Sequence, residues 1–158
     1  MTNCNKRCEE TEKKCGLCEA SKDIKDGFCN IEEGLEDICN GLKDIENCKL
    51  CEGIKKIEEG IENCENGMKN IEQGLRALGC EFDHNVKIGR CSMCDGVRDI
   101  AEGMKDINEG IKNCCEGLNK IKSCELCEGI KAIREGEKQI QEGSQDIKEG
   151  LGDLFCMS

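Results

Sequence analysis

Along most of this chain, apolar residues recur alternately three and four positions apart, with a glycine ahead of every second one. In the stretch EGIKKIEEGIENCENGMKNIEQGL and just beyond it, the apolar row is Ile54, Ile57, Ile61, Cys64, Met68, Ile71, Leu75 and Leu78. That alternation is the a/d seam of a heptad helix, and the glycines occupy every g position beside it. The glycines stand seven apart in four sets: Gly27, Gly34, Gly41; Gly53, Gly60, Gly67, Gly74; Gly96, Gly103, Gly110, Gly117; and Gly129, Gly136, Gly143, Gly150. Ala20 fills the slot before Gly27. The step breaks only between sets, so the pattern predicts four helices, each about 30 residues and about 45 Å long.

A glycine inside a helix weakens it by about 1 kcal/mol relative to alanine. Fifteen of them on one ridge need an offset. A residue without a side chain lets a neighbouring helix come close and gain van der Waals contact. The glycine row is therefore expected to be a close-packing ridge, with disulfides or metal clips as further sources of stability.

A longer repeat overlies the heptads. Cys15-Gly-Leu-Cys18 returns 76 residues later as Cys91-Ser-Met-Cys94, and Cys48-Lys-Leu-Cys51 returns at the same offset as Cys124-Glu-Leu-Cys127. Cys39 maps onto Cys115 and Cys80 onto Cys156. The expected fold is all-α: an up-down antiparallel four-helix bundle made of two duplicated helical hairpins. An N-terminal cysteine-containing arm (1–14) precedes hairpin one (15–80). A linker (81–90) leads to hairpin two (91–158), and the whole forms one bundle domain.

Composition narrows the function. The chain has 158 residues with no Trp, Tyr or Pro, so its core must be Ile, Leu, Met and Cys. A net charge of -11 argues against nucleic acid, whose phosphates need a basic surface. No apolar run reaches the ~18 residues of a membrane span. The start, MTNCNKRCEE, lacks a signal-peptide core, so synthesis in the cytoplasm without secretion is expected. In a reducing cytosol a cysteine pattern reads as metal or catalysis rather than disulfides. Release by cell lysis followed by oxidation removes that conflict.

The chain has 17 cysteines, an odd number that leaves at least one without an internal partner. Each C-x-x-C is expected to open a helix. The pairs Cys48/Cys51 and Cys124/Cys127 should share one bundle end; Cys15/Cys18 and Cys91/Cys94 should share the other with Cys80 and Cys156. Cys4 and Cys8 lie in the arm. Cys64 and Cys114 take d positions and should meet in the core, as a disulfide pair or as two buried thiols. Cys29, Cys39 and Cys115 stand at b or e positions and should be partly exposed. Cross-link candidates are thus Cys4, Cys8, Cys29, Cys39, Cys115, Cys80 and Cys156.

Cysteine-rich, Gly/Lys/Glu/Ile-rich chains of this kind resemble the cysteine-rich coat and exosporium proteins of spore-forming clostridia. The resemblance lies in composition over the whole chain. It implies a structural protein that assembles with itself and with other cysteine-rich coat proteins, cross-linked in an outer spore layer after mother-cell lysis.

The alternative is a thiolate metal site. Cys48, Cys51, Cys124 and Cys127, or Cys15, Cys18, Cys91 and Cys94, offer four sulfurs for zinc or an iron–sulfur cluster. Cu(I) storage bundles have a similar architecture and soft thiolates suit Cu(I), but they line the whole core with cysteine, whereas this core is mainly Ile. A thioredoxin-like redox enzyme would need strands and a cis-proline, and the chain has neither signal. The lone His84 reads as a linker residue. The carboxylates fill solvent-facing heptad positions with lysines nearby, so no catalytic residues and no resident cofactor are expected. Met68 and Met104 read as core. Glu137 and Ser144 break the apolar a row of the last helix, which predicts a locally polar seam.

Overall fold

The computed structural model describes residues 4–78 and 92–155, with side chains over 19–78 and 95–154. Its elements are α1 (Cys4–Glu46), α2 (Leu50–Ala77), α3 (Ser92–Lys122) and α4 (Leu126–Phe155). The described residues therefore form an all-α four-helix bundle of two hairpins. The intimate contacts are α1 with α2 and α3 with α4, while α1 meets α4 and α2 meets α3 more sparsely.

The glycine ridge explains that inequality. Within each hairpin, glycine faces glycine: Gly27 opposite Gly67, Gly34 opposite Gly60, Gly41 opposite Gly53, and in the second copy Gly103 opposite Gly143 and Gly110 opposite Gly136. A Cβ on Gly34 would lie 2.5 Å from the Gly60 carbonyl oxygen and 2.6 Å from Cys64 Sγ. The helices have thus closed to a separation at which only hydrogen fits between the backbones. Each glycine also seats a d residue of the facing helix; a Cβ on Gly67 would meet Ile31 Cγ1 and one on Gly60 would meet Ile38 Cγ1, both at 2.8 Å.

The a and d rows share the core, as the heptads predict. Within it the glycine and d rows form the innermost line of each hairpin: Ile24, Ile31, Ile38, Ile57, Ile71, Ile100, Ile107, Ile133, Ile140 and Ile147 are wholly buried. The a row lies nearer the boundary between hairpins. Leu42, Ile61, Leu75, Val97, Met104, Ile111, Leu118 and Leu151 there are buried, whereas Phe28, Leu35, Ile54, Met68 and Ile130 are only partly covered. The reason is steric: a missing side chain permits the closest approach, so the glycine ridge becomes the contact line.

A second difference concerns the N-terminus. The arm expected at 1–14 is helical from Cys4, so Cys15 and Cys18 lie inside α1 instead of opening a helix. The stretch KRCEETEKKC has good helix formers and no Gly or Pro, so nothing in it stops a helix. The linker 81–90 with His84, and Cys80, Cys91 and Cys156, lie outside the described residues. So do the side chains of Cys4, Cys8, Cys15, Cys18 and Cys94.

Candidate functional site

The best-defined cysteine site is the end of the bundle carrying the α1–α2 and α3–α4 turns, and the two turns are built alike. In the first, Cys48 N–H donates to the Ile45 carbonyl and Lys49 N–H to the Asp44 carbonyl; in the second, Cys124 N–H donates to Ile121 and Glu125 N–H to Lys120. These crossed bonds are a Schellman closure, which needs a left-handed residue at its centre, usually glycine. Here that residue is Cys48 (φ 64°) and Cys124 (φ 66°), the two positive-φ non-glycine residues among those described. Sequence reasoning found both thiols but missed their backbone. The signal was available: a glycine-rich chain with no glycine at either hairpin turn.

Two ion pairs hold the hairpins together near this end, Lys122 Nζ to Glu58 at 2.8 Å and Arg134 to Glu46. Cys48, Cys51, Cys124 and Cys127 are all exposed and free. Leu50 and Leu126 are exposed beside them (41% and 43%), and they are the only exposed large apolar side chains among the described residues. Among those residues, no three His, Cys, Asp or Glu side chains are arranged to hold a metal ion. The four sulfurs named for a zinc or iron–sulfur site thus share an end without converging on a point.

Cys64 and Cys114 are wholly buried, as their d positions imply. Both are free thiols, and each points to a carbonyl of its own hairpin: Cys64 Sγ to Ile31 O at 3.7 Å, Cys114 Sγ to Ile133 O at 3.8 Å. Burial pushes both up to about 12, with Asp37 and Glu65 adding to the effect at Cys64 and the neighbouring Cys64, Cys115 and Glu137 at Cys114. They are protonated at physiological pH and belong to the core.

Cys29 and Cys115 are exposed and Cys39 is half-buried. Burial, together with a hydrogen bond to Glu137, raises the Cys39 thiol; burial and Glu65 raise Cys115. Cys39 therefore faces α4 and Cys115 faces α2. Cys39 lines a groove of about 480 Å³ between α1 and α4, with Phe28, Leu35, Glu137, Ser144 and Lys148. Glu137 and Ser144 are the polar a residues of α4, and this groove is the polar seam they predicted, although Ser144 itself is buried.

No described helix is long and apolar enough to cross a membrane. The chain matches no protein-family model, no curated protein and no solved structure.

Proposed function

We propose that this protein is a non-catalytic structural subunit that assembles by intermolecular disulfides into a resistant layer. The observation that carries the reading is the placing of its thiols. Cys48, Cys51, Cys124 and Cys127 are exposed on one end, and Cys29 and Cys115 are exposed on the flanks. A subunit with linkable groups on more than two sides gives a branched network, whereas one with two gives a chain. A rigid, hydrophobic core with two inert thiols carries them, so cross-linking leaves the fold alone. The compositional resemblance to clostridial spore coat and exosporium proteins fits this reading. It names the setting: synthesis in the mother cell, release by lysis, and oxidation in an outer spore layer alongside other cysteine-rich proteins.

Oxidation of the reduced protein with glutathione disulfide tests the reading. A ladder of covalent multimers on a non-reducing gel, collapsed by reductant, is expected. A monomer that keeps every thiol free under those conditions overturns it. The competing use of the same residues is zinc, iron–sulfur or copper binding through Cys48, Cys51, Cys124 and Cys127. It demands a stoichiometric metal that is lost when any one of them becomes serine.

A further inference from the structure

The two turns are near copies that differ in charge at one equivalent position. Turn one runs Cys48-Lys49-Leu50-Cys51 and turn two Cys124-Glu125-Leu126-Cys127. Lys49 and Glu125 each follow the left-handed cysteine, and both are exposed. The two exposed leucines of the described residues come next in each turn. Thiol, opposite charge and apolar contact therefore stand in the same order on the two halves of a single end face.

We propose that this end face docks onto the same face of a second copy, about a twofold axis perpendicular to the bundle, so that turn one of each copy meets turn two of the other. This rests on the disulfide-assembly reading and specifies its first contact. Lys49 of one copy then faces Glu125 of its partner, Leu50 faces Leu126, and Cys48 faces Cys124. Each contact occurs twice, as an isologous interface requires. The other perpendicular twofold axis sets Lys49 against Lys49 and Glu125 against Glu125, and like-charge juxtaposition disfavours it.

The size of the face says why sulfur is needed. Four helix ends of ~10–12 Å diameter present about 400 Å² per copy, well below the ~800 Å² per partner of a stable interface. The non-covalent contact selects the register and the disulfides hold it. Chemically, the Cys48 thiolate attacks a low-molecular-weight disulfide such as glutathione disulfide, releasing one glutathione and leaving a mixed disulfide. Cys124 of the partner copy then displaces the second glutathione. Two thiols and one glutathione disulfide become one protein disulfide and two glutathiones. After the first bond forms, the symmetry-related one closes within a single complex and is favoured by effective concentration.

The test mixes nitrogen-14 and nitrogen-15 protein, oxidises the full chain with glutathione disulfide, and maps disulfides after cleavage at lysine and glutamate. Heavy–light hybrid peptides joining Cys48 to Cys124 are expected as a main product. At low salt, Lys49→Glu should slow that link about fivefold, and adding Glu125→Lys should restore it. A dominant Cys48–Cys51 or Cys48–Cys48 bond, or a rate indifferent to Lys49→Glu, overturns the end-to-end geometry. If copies join only through Cys29, Cys39 or Cys115, the geometry fails while the assembly reading stands. If no disulfide joins two copies, both fail.

Discussion

Among the described residues, Cys48 and Cys124 occupy the one backbone position in each hairpin where glycine would relieve strain. A side chain in the left-handed region costs roughly 1–2 kcal/mol, and the chain spends glycine freely elsewhere. Cys48→Gly should therefore raise the stability of the reduced protein by about 1 kcal/mol, read by urea unfolding in reductant. It should also remove one cross-linking thiol. Loss of stability in that variant would mean that Cys48 packs in a way its exposure does not indicate. The buried thiols make the opposite prediction. Cys64 and Cys114 should resist alkylation in the folded protein while the turn cysteines react, and all should react in denaturant.

The same two residues set a pH dependence. Their folded values near 12 stand above the ordinary 9.0, so the folded state holds protons that the unfolded chain releases. The stabilisation is fully present below pH 9 and is lost as pH rises toward 12. Its slope is up to about 1.4 kcal/mol per thiol per pH unit. Unfolding measured at about pH 8 and about pH 10.5 should show the loss, and the double variant Cys64→Ala/Cys114→Ala should show a smaller one. An unchanged difference would place the cause in other groups.

Among the elements, the glycine ridge governs the hairpins. Gly34→Ala gains about 1 kcal/mol of helix propensity. Its methyl, however, must displace the Gly60 carbonyl, which is backbone, and Cys64 Sγ, which is locked in the core. Overpacking of this kind costs typically 1–3 kcal/mol and more where the backbone must move. A net destabilisation of about 2 kcal/mol is expected from thermal or urea unfolding. A stabilised variant would show that the helices are not held at the described separation.

The four helices and the close-packing role of glycine were legible in the heptads alone. The register is legible too: the midpoints of Gly41 and Gly53, and of Gly117 and Gly129, fall on Asn47 and Ser123 in the two turns. That symmetry sets glycine on glycine. The heptad assignment hid it, because a/d logic assumes that apolar side chains decide the contact line, whereas here an absent side chain does. The helical start at Cys4 is less legible, because the pairs Cys48/Cys51 and Cys124/Cys127 do open helices, whereas residues 6–15 carry similar cysteines with no Gly or Pro to end one.

For the whole molecule, two tightly closed hairpins meet across a looser boundary. On the α1/α4 side of it, Glu137 and Ser144 leave a polar groove. Glu137 was legible as an exception to the a row; its hydrogen bond to Cys39 was not, since it depends on which hairpin faces which. The cysteines whose side chains are described divide along the same lines, with inert thiols inside the hairpins and accessible ones at the turns and flanks. Their pattern could be read as thiol chemistry from sequence, but the choice between metal capture and cross-linking depends on convergence, which spacing does not encode.

The most direct measurement is a native mass spectrum of protein purified without chelator or reductant. It reads oligomer mass, metal adducts and the two hydrogens lost per disulfide together. The account predicts covalent multimers with hydrogens missing and no stoichiometric metal. A monomer or non-covalent dimer carrying zinc, iron or copper in fixed proportion, with its turn cysteines as ligands, would contradict it.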